Sequence, residues 1–137
     1  MQQKSLVDFS TSPQEVEFSS NKGILKGFLF LPPGDGPFPC VIDNHGSATP
    51  PGTTDLSHPQ TATLFMSWGF VYLYPHRSGY GNSPGSTLGE EVPAPRGTAE
   101  HDKQMSKRLK IENLDVLAAL DYVNNLELVD NSRVVSM

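Results

Sequence analysis

Four histidines, one cysteine, a scatter of serines and a few clustered carboxylates are the side chains of this 137-residue chain that could carry covalent or acid–base chemistry. Their spacing excludes most familiar devices. His45, His58, His76 and His101 never show the His-Glu-x-x-His interval that puts two imidazoles on one helix face, so no metal site is expected. Ser47 and Ser136 lack the glycines of a Gly-x-Ser-x-Gly turn, the strained geometry that lifts a serine hydroxyl clear of a sheet. Ser83 is read with them as lacking that frame and is not expected to act as a nucleophile either. Between Gly79 and Gly85 Pro84 intervenes, the spacing is wrong and no helix opens, so Gly79-x-Gly81 is not a dinucleotide loop and no cofactor is expected. Cys40, inside an apolar run, reads as a small buried hydrophobe. Glu90, Glu91 and Glu100 read as a solvated charge run rather than as a paired acid and base.

What remains is backbone chemistry, which depends on the elements that hold it. Val16 and Phe18 alternate with Glu15, Glu17 and Ser19, the period of a half-buried strand. After turn chemistry at Ser20-Asn21-Lys22-Gly23 a second strand is expected from Ile24 to Leu31, making an antiparallel hairpin that Pro32-Pro33-Gly34 ends. Cys40-Val41-Ile42-Asp43 suits a strand buried on both faces, followed at once by the loop Asn44-His45-Gly46-Ser47. A helix is expected over 59–68, closed by Gly69, and a strand over 70–74, closed by Pro75. Strand, helix, strand implies a right-handed crossover in a parallel sheet. The segment 79–96 holds seven residues that are Gly or Pro and reads as a long irregular stretch. A helix is expected to begin between Ala99 and Ile111 and to end near Asn125. Its run from Leu114 to Leu126 is so apolar that most of its circumference should be covered. A turn over 128–132 leads to a last strand, 133–137.

In this order and spacing, four segments resemble the N-terminal half of an α/β-hydrolase, of the branch that holds dienelactone hydrolases and prolyl-oligopeptidase-like acyl hydrolases. Residues 37–47 are similar to the third strand and its His-Gly loop, and 68–75 to the fourth strand. His76-Arg77-Ser78-Gly79-Tyr80-Gly81-Asn82-Ser83-Pro84-Gly85 is similar to the Arg-Gly-x-Gly-x-Ser loop that follows. Residues 115–123 with 130–137 are similar to the helix and strand that deliver the nucleophile elbow. The resemblance implies a partial α/β-hydrolase fold, with a polar leader over 1–14 and the incomplete domain over 15–137, ending just before the elbow. Nucleophile, acid and base would then lie outside these residues. What the chain would supply is half an oxyanion hole: the N–H of Ser47 or Ala48, with Gly46 letting the backbone approach a substrate carbonyl. His45 would order that loop. His76 stands where the family often has Asp and reads as a structural histidine. Tyr80, with Tyr74 and the 79–96 loop, is placed at the entrance as a substrate contact.

Composition sets the outer bounds. With 36% hydrophobic and 18% charged residues and a formal charge of −5, the chain reads as a globular domain without the basic footprint of a nucleic-acid or lipid-surface binder. No apolar run follows the polar start or approaches a bilayer's span, so neither a secretory signal nor a membrane segment is expected, and cytoplasmic residence is the default. Three readings compete: part of a serine hydrolase acting on an ester, lactone or peptide-like acyl substrate; a non-catalytic binding or assembly module; and one chain of a two-chain hydrolase. The last two would use the strand over 133–137 as an edge for self-association or for a complementing chain.

Overall fold

A computed structural model describes residues 13–47 and 58–137. Their elements run β1 (Gln14–Ser20), β2 (Gly23–Phe30), β3 (Phe38–Ile42), α1 (Pro59–Ser67), β4 (Val71–His76), α2 (Leu88–Glu91), α3 (Ala99–Asn124) and β5 (Val129–Ser136). One five-stranded sheet forms, in the order β1-β2-β4-β3-β5. The hairpin and β4 pair antiparallel, whereas β4, β3 and β5 are parallel neighbours, with α1 crossing between β3 and β4. The expected hairpin leading into a parallel sheet is therefore present.

Alternation along the strands buries both faces of the sheet. Leu25, Leu29, Cys40, Ile42, Val71 and Leu73 point to one side, where Ala119 and Val123 of α3 cover them. Phe28, Phe30, Val41, Tyr72 and Tyr74 point to the other, against Ala62 and Met66 of α1. Central strands covered on both sides read as continuous apolar runs, which is why β3 and β4 were legible as buried.

Four local expectations are revised. β4 continues through Pro75 to His76, because by that point it has passed the last residue of β3 and needs no ladder donor on that side. Opposite Pro75 stands Gly27, where a Cβ would lie 2.9 Å from both the Pro75 Cα and the Tyr74 carbonyl oxygen. The long stretch contains α2, started by a capping box: Thr87 Oγ1 accepts from Glu90 N at 3.2 Å and Glu90 Oε2 accepts from Thr87 N at 2.8 Å. Turn chemistry at Asp130-Asn131-Ser132 falls inside β5, where it makes a bulge between the pairs Phe38–Val129 and Cys40–Val134. Asp130 Oδ1 there accepts from Ser132 N and Oγ, at 3.0 and 2.6 Å.

The fourth revision concerns α3. Its buried residues are Arg108, Glu112, Asp115, Ala119 and Val123, one stripe at helical spacing whose first half is charged and second half apolar. Leu114 and Leu117, off that stripe, are 41% and 51% exposed, so most of the circumference is not covered.

Candidate active-site loop

Asp43, Asn44, His45, Gly46 and Ser47 leave the C-terminal end of β3, the edge at which open parallel sheets build their sites. Main-chain bonds tie this exit to the end of β5: Met137 N donates to Ile42 O at 2.9 Å, and Asn44 N to Met137 O at 2.9 Å. The Asn44 side chain adds Nδ2 to Ser136 Oγ at 2.8 Å and to Met137 O at 3.1 Å. Gly46 and Ser47 are exposed, and among the described residues a Cβ built on Gly46 meets nothing within 4 Å. Ala48 lies outside the described residues.

His45 is buried beneath the loop, at 4% exposure. Its Nε2 accepts the Arg77 N–H at 3.1 Å, so the proton sits on Nδ1, which donates to Gly46 O at 2.6 Å. Burial first, and then the charge of Arg77 against a partly compensating bond to Gly46, pulls its pKa down to about 4 and keeps the ring neutral. His45 therefore orders the loop.

Arg77 is also buried and makes the connection to α3. Its Nη1 donates to His45 O at 2.8 Å and its Nε to Glu112 Oε2 at 3.2 Å. The other Glu112 oxygen accepts from Arg108 Nε and from the Tyr80 hydroxyl, each at 2.9 Å. Burial alone would raise the Glu112 carboxyl; bonds from Arg108 and Tyr80 and the two guanidinium charges more than offset it, so it lies below the usual range. Arg108, 1% exposed, reaches on to Glu91 Oε2 and Ser86 O, at 3.2 and 2.7 Å, and to Ser78 O. Asp115 Oδ2 accepts Ser78 N at 2.8 Å.

Tyr80 is 2% exposed, its ring centroid 5.3 and 5.4 Å from the Arg77 and Arg108 guanidinium carbons. It stands inside this network rather than at an entrance, and Tyr74 is buried as well. His76 is fully buried and its Nδ1 accepts Asn82 N at 3.0 Å, so it orders the Arg77–Ser83 turn as a carboxylate would. Gly81-Asn82-Ser83-Pro84-Gly85 does carry the letters of an elbow, but the Ser83 hydroxyl is buried in a loop. It donates to His76 O at 2.6 Å and accepts Lys26 N at 2.8 Å, which makes it a tie between β2 and β4.

A second polar group flanks the same edge. Asp43, 5% exposed, accepts from the Tyr72 hydroxyl and from His58 Nδ1 at 2.7 Å. His58 caps α1 in the left-handed region, φ 67°, with its side chain 55% exposed. Neither this pair nor the Arg77–Glu112–Arg108 cluster was apparent from the sequence. The available signal was Arg108 and Glu112 at i, i+4 in phase with Asp115, Ala119 and Val123. Among the described residues no group of three or more His, Cys, Asp or Glu could hold a metal, and no helix is long and apolar enough to cross a membrane.

No protein-family model and no curated protein sequence matches the chain. Solved structures do. Acetyl xylan esterase 1 from Thermoanaerobacterium sp. JW/SL YS485 matches with a TM-score of 0.68 at 18% identity, over 99% of this chain and 41% of that one. The α/β-hydrolase GrgF from Penicillium sp. sh18 matches with a TM-score of 0.57 at 23% identity, over 90% and 36%. An esterase from Pyrococcus furiosus matches with a TM-score of 0.59 at 18% identity, over 94% and 40%. At these identities what is shared is the fold, and the chain spans well under half the length of each. Sheet order, crossover and likeness together give this chain the N-terminal part of the α/β-hydrolase fold.

Proposed function

We propose that this chain is part of an acyl hydrolase, for which the loop His45-Gly46-Ser47 supplies backbone N–H donors to the oxyanion of the tetrahedral intermediate. The observation that carries this reading is the bonding of Asn44 to Met137, which sets the exposed loop directly beside the end of β5. Acyl transfer on a parallel sheet needs a nucleophile at the end of a strand and two donors about 3 Å from the developing negative charge. With β5 delivering the nucleophile just beyond Met137, Gly46 and Ser47 stand next to it, and Gly46, which no described residue crowds, leaves its backbone open to a substrate carbonyl. Acid and base come from further residues, and the substrate is an ester, lactone or peptide-like compound. Esters are favoured because two of the similar folds belong to proteins named esterases.

The test is a fluorophosphonate probe with a p-nitrophenyl ester assay, applied to this chain and to the product of its reading frame continued past Met137. Labelling and turnover in the longer protein, with neither in the 137-residue chain, supports the reading, since loss of a hydrolase nucleophile costs on the order of 10⁶ in turnover. Stoichiometric labelling of the 137-residue chain overturns it. A second reading, a binding module or one chain of a two-chain hydrolase, is favoured by the free edge of β5 among the described residues. A well-behaved monomer in size-exclusion chromatography supports the self-contained module.

A further inference from the structure

Resting on the acyl-hydrolase reading above, we propose that Arg77 and Glu112 are positioning residues that aim the Gly46 and Ser47 N–H groups outward, toward the oxyanion. A trans peptide unit points its carbonyl and the N–H of the next residue in opposite directions. The only cis bond among the described residues is Gly36–Pro37, so the units joining His45, Gly46 and Ser47 are trans. His45 O is held by Arg77 Nη1 at 2.8 Å, and the Gly46 N–H therefore points away from a buried guanidinium. Gly46 O is held by His45 Nδ1 at 2.6 Å, and the Ser47 N–H points away from a buried imidazole. Two successive carbonyls are turned inward and their donors outward, on the exposed side of the loop.

One residue sets both units. Arg77 fixes the first through its side chain and the second through its own N–H, which holds His45 Nε2 at 3.1 Å. Arg77 is in turn fixed by Glu112 at 3.2 Å, and Glu112 by Arg108 and Tyr80. Releasing Arg77 frees the His45 carbonyl to rotate outward, which turns the Gly46 N–H inward. The negative end of a dipole then faces the place where negative charge must form, so the step that forms the oxyanion slows while substrate binding does not.

The experiment compares Arg77→Lys, Glu112→Gln and Glu91→Gln. Glu91 contacts Arg108 and not Arg77, and serves as the control for general loosening of the network. In the ¹⁵N-labelled 137-residue chain, the residual dipolar coupling of the Gly46 amide is expected to change in the first two variants, more than that of Ser47, whose hold through the Arg77 main-chain N–H remains, and neither is expected to change in Glu91→Gln, with the strand amides unchanged in all three. In the active longer protein, kcat for an ester is expected to fall roughly tenfold to a hundredfold in the first two, KM staying within about threefold. Should Arg77→Lys fail to fold, Tyr80→Phe removes one of the bonds to Glu112 and is expected to give a smaller fall in kcat at constant KM. Unchanged couplings, or an unchanged kcat in an active enzyme, overturn the proposal. Altered couplings in a longer protein that hydrolyses nothing overturn the hydrolase reading and leave the orienting device standing.

Discussion

At the scale of single residues, two histidines, two glycines and one serine show how little a side chain's type says about its work. His45 and His76 both act as neutral hydrogen-bonding struts, and the buried ring of His45 has a testable consequence. Its pKa lies near 4, below the ordinary 6.5, so the unfolded chain takes up a proton before the folded one does. The stability it contributes is present in full above pH 6.5 and is lost progressively as pH falls toward 4. Urea midpoints measured across that window are expected to drop, and His45→Gln is expected to flatten the slope. Gly81 and Gly46 divide in the opposite way. A Cβ at Gly81, φ +49°, falls 2.4 Å from His76 Nδ1, and Gly81→Ala is expected to cost about 2 kcal/mol or more in chemical denaturation. At Gly46 no described residue comes within 4 Å of a Cβ, and Gly46→Ala is expected to change stability by less than about 0.5 kcal/mol while lowering kcat/KM in the longer, active protein. Ser83 illustrates a motif that only contacts can judge, since its flanking glycines match an elbow and its hydroxyl is spent on backbone.

At the scale of elements, α3 is the informative case. Its apolar residues suggested a helix covered nearly all round, yet the buried stripe is Arg108, Glu112, Asp115, Ala119 and Val123. The second half packs on the sheet, while the first half lies under the loop after β4, where the partners are the Arg77 guanidinium, the Tyr80 hydroxyl and the backbone of Ser78 and Ser86. Glu112→Ala leaves two buried guanidinium groups without their shared carboxylate and is expected to cost about 3–5 kcal/mol. Leu114→Ala, on the exposed side, is expected to change stability by no more than about 0.5 kcal/mol. Thermal or urea denaturation of the two variants checks this inversion of the usual order, in which the apolar residue matters less than the charged one.

At the scale of the whole molecule, the sheet has one antiparallel border, β1, and one parallel border, β5. Val135 and Met137, 55% and 48% exposed, lie at the β5 border beside strand groups that no described residue pairs. Such an edge is a template for another strand. The isolated 137-residue chain is therefore expected to self-associate with rising concentration, and Val135→Lys is expected to shift it toward monomer in sedimentation velocity.

By itself the sequence determined the hairpin, the buried strands β3 and β4, the helix between them and the loop at Gly46. Each follows from hydrophobic period or turn chemistry within a few residues, and such local signals are written in adjacent letters. The Thr87–Glu90 capping box was equally local and could have been read. Tertiary structure alone decided that Arg77 meets Glu112 across 35 residues, that Tyr80 is an interior support and that β5 carries its turn as a bulge. The reason is physical: a charged side chain can be buried only where distant partners compensate its lost hydration, and nothing in its own neighbourhood says where those partners are.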